Sequence, residues 1–490
     1  MTSLILLDAF IVDRNSKLPI YRQLYDLIQQ GITTGKFTAE SKLPSSRILS
    51  KELNVSRSTV TTAYDQLIAE GYLITRPGSG TVVAAALLSK RSVVNKIQRG
   101  EIDLLPEMLS PLAQTYLKRA RKYTSYKKSK LVVSLPSRSG FPNAVWGKLL
   151  AKHARKALDV DAGYDNPSGI DPLKVAIAEY LGMARAVVTS AKNVLILSST
   201  QAAVDLLCRA LLKPGDRAWL EDPGYNGVRI AMKNYSANIT GINIDDEGLC
   251  LPKHENPPKI IYTTPSHQYP TGVTMSYVRR MSLLDYAHKN KCWVLEDDYD
   301  SEFRYSGKPL PSLQGLDQMQ QVIYLGTFSK SLSPSLRVAY IVAPDNLTPV
   351  LEALMADTGQ GVNLSVQHAL AEFIEAGHYS LHIRKTRQQY SIKQQLLVEA
   401  LNKYLSKEVT VSSSQAGLQT LVYFNNKIVD VEVEELATSQ GFSVRALSPL
   451  YQTQHPRHGL ILGFAATECD DIDPAVKELA EIIKKLSQNV

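Results

Sequence analysis

The chain of 490 residues holds only four cysteines, Cys208, Cys250, Cys292 and Cys469, and no two stand at paired spacing. That scarcity excludes a disulfide framework and a cysteine zinc site, so no metal is expected, and it suits thiols kept reduced in a cytoplasm. No apolar run reaches the ~20 residues that a membrane-spanning helix needs. The opening stretch, Met1 to Asp8, lacks a basic n-region and a small-residue cleavage site, so secretion is not expected. What remains is ordinary for a soluble protein: 44% hydrophobic and 21% charged residues. The length calls for two or three domains, and a formal charge of +8 invites an anionic partner.

Residues 1–84 read as one small domain. After Pro19, Ile20, Leu24, Leu27, Ile28 and Ile32 recur at helical spacing and stop at Gly35. A second helix is expected from Ser45, with Ile48, Leu49 and Leu53 inward. Ser56 is placed to cap a third, whose stripe is Val60, Ala63, Tyr64, Leu67 and Ile68. A hairpin with the basic, glycine-rich tip Arg76-Pro77-Gly78-Ser79-Gly80 follows. Helix, turn, helix and hairpin describe a winged helix-turn-helix, in which the third helix enters a major groove and the hairpin tip lies along the backbone. Lys42-Leu43-Pro44-Ser45-Ser46-Arg47, Val55 to Val60 and Glu70-Gly71-Tyr72 resemble the DNA-binding domain of GntR-type bacterial regulators. That resemblance implies contacts to operator DNA from Ser45, Arg47, Arg57, Ser58 and Thr59; Ser56 at the cap of the third helix and Arg76 and Gly78 at the hairpin tip are the further DNA-binding candidates.

Residues 85–130 gather eleven Lys and Arg against three acids. Like charges repel and extend a chain, so the stretch is expected to be a basic linker. The sharper alternative is that it adds sequence-independent phosphate contacts beside the operator.

Residues 131–490 alternate short apolar runs with helical patterns: Val194-Leu197, Arg217-Leu220, Lys259-Tyr262, Cys292-Leu295, Val322-Leu325 and Val338-Val342. This predicts an α/β fold with a mostly parallel sheet covered on both faces, its ligand at the carboxyl ends of the strands. Polar clusters follow those strands: Ser198-Ser199-Thr200-Gln201, Glu221-Asp222-Pro223-Gly224-Tyr225, Thr263 to Gly272, Glu296-Asp297-Asp298-Tyr299 and Thr327 to Arg337. A lysine at one strand end and a carboxylate at another supply what pyridoxal 5'-phosphate needs, an amine for its aldehyde and an acid for its ring nitrogen. The helix opened by Ser199, Thr200 and Gln201 offers amides and a dipole to its phosphate.

These ordered motifs resemble fold-type I, aspartate aminotransferase-like enzymes with a PLP-dependent transferase domain. The resemblance implies that Lys330 forms the aldimine, Asp297 pairs with the pyridine nitrogen and Tyr299 lies near the ring hydroxyl. Thr200, Thr327, Ser329 and Arg337 are the implied phosphate ligands, and Ser199 and Gln201 at the same helix start are further cofactor-binding candidates. Tyr225 is the candidate for stacking on the ring, or simply an aromatic packed at a turn. Tyr164 matches a segment reaching a neighbouring subunit's phosphate, which implies a homodimer. Two departures stand out. The family's Asn-Pro-Thr-Gly is here Tyr269-Pro270-Thr271-Gly272, and its carboxylate-gripping Arg is missing before Gly463-Phe464. Arg445 and Arg229 are candidates for an effector carboxylate, and either serves equally as a surface or ion-pair arginine.

Both halves together resemble the MocR subfamily of GntR-type regulators, down to Asp297 through Tyr305 and Ser266 to Gly272. The function implied is that of a cytoplasmic, dimeric transcription factor that senses pyridoxal phosphate, or an amine or amino acid, through aldimine chemistry. The alternatives are a working aminotransferase that carries a DNA-binding domain, and a cofactor-free scaffold.

Overall fold

The computed structural model describes residues 5, 7–16, 18–77, 80–84, 109–110, 113–114, 116, 129–137, 139–155, 166–252, 256–305, 311–413, 416–425, 427–453 and 455–487. The chain divides into two compact units, Met1–Ala120 and Arg121–Val490. Most of the expected linker, and with it Gly78 and Tyr164, lies outside the described residues. Lys130 is described. Its backbone N–H donates to the Gly441 carbonyl at 2.9 Å and its amine pairs with Glu478, so it belongs to the second unit.

In the first unit, α1 (Ile20–Thr33), α2 (Ser46–Glu52) and α3 (Arg57–Ala69) precede the strands β1 (Leu73–Arg76) and β2 (Gly80–Val83). Pro19 stands one position earlier than expected, as the cap of α1, because its ψ of 142° is extended. Leu24, Ile28 and Ile32 of α1 meet Val60, Ala63, Tyr64 and Leu67 of α3 in one core. Gly31 has to be glycine, since a Cβ there would stand 2.5 Å from the Phe37 ring. Ser45 caps α2 by accepting from the Ile48 N–H at 3.3 Å, and Ser56 caps α3 by accepting from Thr59 at 3.1 Å. One expectation fails: Ile48 is 54% exposed while Leu49 is fully buried. Successive helical residues point about 100° apart, and α2 is too short to bury both. The hairpin pairs Arg76 with Gly80, and the Leu43 N–H donates to the Thr81 carbonyl at 2.9 Å along its other edge.

The second unit is built on an eight-stranded sheet: β3 (Val194–Leu197), β4 (Arg217–Asp222), β5 (Asn238–Asp245), β6 (Gly248–Leu249), β7 (Ile260–Thr263), β8 (Trp293–Asp298), β9 (Val322–Thr327) and β10 (Ala339–Val342). Their spatial order is β3-β10-β9-β8-β7-β4-β5-β6, and only β10 and β6 pair antiparallel with their neighbours. Both faces are covered, and the twofold alternation of strand side chains shows how. Val194 and Ile196 point to the side of α4 (Asp171–Arg185), with its Leu173, Ile177 and Leu181. Leu195 and Leu197 point to α5 (Thr200–Leu211), with Val204 and Leu207, and to α6 (Asn226–Asn234), with Val228 and Met232.

A second sheet was not anticipated, although the sequence from Leu460 to Phe464 reads as a strand. It joins β11 (Val409–Val411), β12 (Gln419–Phe424), β13 (Arg445–Ala446) and β14 (Gly459–Gly463) in the order β11-β12-β14-β13, all antiparallel. The strand ends also differ from expectation. Glu221, Asp222, Glu296, Asp297 and Asp298 are not loop residues but the last residues of β4 and β8. Ladder pairing carries on through them, with Asp297 opposite Leu325 and Asp298 opposite Gly326, so the carboxylates are buried.

Candidate functional site

Because β10 runs opposite to its neighbours, its first residues share a sheet end with the last residues of β3 and β9. Ala339 stands opposite both Leu197 and Thr327. That register gathers Ser199, Thr200 and Gln201 after β3, Thr327 and Ser329 after β9, and Arg337 before β10. The Ser199 hydroxyl caps α5, accepting from Ala202 at 3.1 Å, and Gln201 donates to the Gly227 carbonyl at 3.0 Å. Thr327 accepts from the Ser329 N–H at 3.1 Å. Arg337 is exposed and held at φ 53°, left-handed for a non-glycine residue. The first N–H groups of α5 have no partners within the helix and carry its positive dipole end, so this rim suits an anion.

Next to the rim lies a floor of buried acids. Asp297 is 5% exposed; its Oδ2 accepts from the Tyr262 hydroxyl at 2.5 Å, and its Oδ1 has no partner among the described residues. Burial pushes the carboxyl up to about 7, against the pull of Tyr262 and Lys330, while Asp298 adds to the rise. Lys330 faces these acids and donates to the Ser134 carbonyl at 2.9 Å. Burial draws its amine down to about 8, with Asp300 and then Asp297 opposing and Arg445 assisting. An amine of that kind is neutral often enough near pH 8 to attack a carbonyl.

Three tyrosines form the mouth. Tyr225 and Tyr299 each stand edge-on to Tyr269, with ring centroids 6.0 and 6.2 Å apart. Tyr225 is 39% exposed, open to a flat ligand rather than packed away. Of the two arginine candidates, Arg445 lies against Tyr269 and influences Lys330, which brings it to the site. Arg229 donates to the Tyr451 carbonyl at 3.4 Å.

Sequence reasoning passed over the groups that hold this floor in place. Glu221 is buried and accepts from the Thr263 hydroxyl at 2.6 Å, the Thr264 hydroxyl at 2.6 Å and the Gln268 amide at 3.1 Å. Arg185 pairs with Asp298 at 2.8 Å deep inside. His267 meets Asp300 at 3.0 Å. The available signal was an acid at the end of a parallel strand, which has no solvent and so must have a partner.

The first unit offers a separate surface. Ser45, Arg47, Ser56, Arg57 and Ser58 are exposed at the start of α2 and α3, and Thr59 is half-buried. Arg57 donates to the Ser46 hydroxyl at 3.3 Å, which tethers the two helix starts. Arg76 is less free than expected, since it pairs bidentately with Glu40, one of the two contacts at 2.8 Å.

Comparison with known proteins follows the same division. Residues 20–83 match bacterial regulatory proteins of the gntR family, and residues 141–477 match aminotransferase class I and II. The probable rhizopine catabolism regulatory protein MocR of Rhizobium meliloti is 35% identical over 97% of this chain and 94% of its own length. The chain belongs to the MocR-type GntR regulators. The pyridoxine biosynthesis regulator PdxR of Corynebacterium glutamicum is 29% identical over 94% of this chain and 95% of its own. Among solved structures, LysN, the α-aminoadipate aminotransferase of Thermus thermophilus complexed with N-(5'-phosphopyridoxyl)-L-leucine, superposes with a TM-score of 0.70 at 26% identity. It covers 78% of this MocR-type chain and 99% of its own.

Proposed function

We propose that this protein is a DNA-binding transcriptional regulator whose second unit binds pyridoxal 5'-phosphate and, through it, senses the cofactor itself or an amine or amino acid. One observation carries the reading: a buried acid with an unpartnered oxygen, Asp297 Oδ1, stands beside a lysine whose amine is drawn down to about 8. An orphaned buried oxygen is costly unless a donor completes it, and the ring nitrogen of this cofactor is such a donor. When bound, the cofactor supplies an aldehyde that condenses with primary amines and a ring that draws electrons. Lys330 would hold it covalently, Asp297 its ring nitrogen, Tyr299 its ring hydroxyl and Tyr225 its face. The rim of Ser199, Thr200, Gln201, Thr327, Ser329 and Arg337 would hold the phosphate, with Tyr164 of a second copy in a homodimer. Arg445, or else Arg229, would take an effector carboxylate. Ser45, Arg47, Ser56, Arg57, Ser58, Thr59, Arg76 and Gly78 would meet DNA. Domain limits of 1–84 and 131–490, joined by 85–130, suit this division of labour.

The test is direct. The purified protein is loaded with pyridoxal phosphate, desalted and scanned in the visible. Wild type should keep the absorbance of a lysine-linked cofactor and Lys330→Ala should lose it entirely; equal spectra would end the reading. The presence of Lys330 and Asp297 together at neighbouring strand ends also favours a second reading, an active aminotransferase. Mixing the loaded protein with amino acids separates the two. Rapid conversion of the cofactor to its amine form marks the enzyme, and a stable spectral change without conversion marks the sensor.

A further inference from the structure

The buried pair His267–Asp300 has no part in the assignments above, yet it touches one of them. His267 Nδ1 lies 3.0 and 3.1 Å from the two oxygens of Asp300 and 3.1 Å from the Tyr299 hydroxyl. The imidazole also stacks on Tyr299, centroids 5.9 Å apart at 29°. Both members are enclosed, His267 at 5% and Asp300 at 1% exposure. Gly417, at φ 83°, closes over them: a Cβ there would stand 2.3 Å from His267 Cε1 and 2.7 Å from Asp300 Oδ2.

We propose that His267 and Asp300 are positioning residues that make Tyr299 a hydrogen-bond donor toward the cofactor. The inference rests on reading the site as a pyridoxal phosphate pocket. An ionised carboxylate can only accept, so a ring nitrogen between its two oxygens must carry a hydrogen. A protonated Nδ1 has no lone pair left, and Tyr299 cannot donate to it. The tyrosine hydrogen therefore turns away from the imidazole, toward the side where Asp297 and Lys330 stand. Such control of one group's proton by its partner's tautomer is common where histidine meets a carboxylate. The groups facing the trio are Lys330 and Asp298 beside Asp300, and Asp297, Tyr269 and Glu221 beside Tyr299. Burial raises the Asp300 carboxyl and Asp298 adds to the rise, while the contacts with His267 and the charge of Lys330 oppose it.

The experiment is a pH titration of the visible absorbance of the full-length, cofactor-loaded protein. Tyr299→Phe sets the reference shift in its midpoint. Asp300→Ala and His267→Phe should shift the midpoint in the same direction, on the order of one pH unit for one lost buried hydrogen bond. Combined with Tyr299→Phe, neither should add to it. His267→Asn, which keeps an N–H near the Nδ1 position, should titrate like wild type. The proposal is overturned if Asp300→Ala and His267→Phe titrate like wild type while Tyr299→Phe shifts, or if their shifts add to that of Tyr299→Phe. Should His267→Phe fail to fold, Asp300→Ala and the rescue by His267→Asn decide. Absence of any lysine-linked absorbance in wild type would remove the pocket reading, and this proposal with it.

Discussion

The two units place their functional side chains in opposite surroundings. In the winged helix they are exposed and fixed by short-range bonds, Ser56 to Thr59 and Arg57 to Ser46, within one stretch of chain. In the larger unit the acids of the floor are buried and, with Lys330, held by partners far along the sequence, while Tyr225 and Arg337 at the edge stay exposed. Lys330 reaches Ser134, Asp298 meets Arg185, and the Gln452 N–H donates to Asp222 at 2.7 Å. An exposed site can be altered without disturbing its scaffold, whereas a buried polar site and its scaffold share the same bonds. If that contrast is right, substituting an exposed side chain that caps nothing, such as Arg57, should separate binding from stability, and substituting the buried floor should not.

The largest expected effect lies in the second unit. Arg185→Ala leaves Asp298 buried without its counter-charge, its Oδ2 held only by the Tyr324 and Ser301 hydroxyls and its Oδ1 without a partner among the described residues. Breaking a buried pair of this kind costs about 3–5 kcal/mol. Urea unfolding of the full chain should show that loss in the transition of the larger unit. A loss under about 1 kcal/mol would break the comparison from that side, because such a cost is ordinary for any point substitution.

The next effect tests the electrostatics of the same interior. Lys330 attacks an aldehyde only as the neutral amine, and its pKa lies at about 8. The neutral fraction therefore rises on the order of fiftyfold between pH 6 and pH 8 and levels off above that. The initial rate of pyridoxal phosphate attachment, followed by visible absorbance, should climb with pH over this window and flatten beyond it. A rate still rising as steeply near pH 10 would mean an amine as solvated as those at the surface.

Arg57→Ala should have a smaller effect and only on binding. A single arginine contact to DNA is worth about 1–3 kcal/mol, so operator affinity by fluorescence anisotropy should fall about ten- to hundredfold. Because Arg57 is exposed, unfolding of the first unit should move by no more than about 0.5 kcal/mol. A stability loss as large as the affinity loss would erase the distinction between the two sites.

The same contrast explains what could be read from the sequence. The winged helix was legible almost to the residue, since caps such as Ser45 and Ser56 and the stripe from Val60 to Leu67 are local signals. Ile48 was misjudged because a helix of seven residues leaves too little periodicity to orient it. In the second unit the six strands and the order of their polar ends were legible, and with them the position of Lys330 and Asp297 at neighbouring strand ends. The antiparallel sheet from Val409 to Gly463 was mostly missed: β11 and β13 are three and two residues long, too short to alternate. Tyr262, His267, Glu221 and Arg185 were missed for another reason. Their roles exist only after distant strands are brought side by side, and no spacing in one dimension encodes that.

The smallest effect is the sharpest comparison, because it makes the same change in both units. Ser56 and Ser199 cap α3 and α5 with the same bond, each side chain accepting a backbone N–H at 3.1 Å. Replacing such a cap with alanine costs about 1 kcal/mol, so Ser56→Ala and Ser199→Ala should destabilise their own units by similar amounts. Their other consequences should differ. Ser56 is at the exposed start of a helix that would enter a groove, so its loss should weaken operator binding and leave cofactor affinity unchanged. Ser199 stands on the anion rim, where the capped amides of α5 would meet a phosphate. Its loss should weaken cofactor retention several-fold beyond the stability change, measured as absorbance surviving dialysis. Equal retention in the two variants would make Ser199 a cap and nothing more, and the phosphate rim would then rest on Thr200, Gln201, Thr327, Ser329 and Arg337.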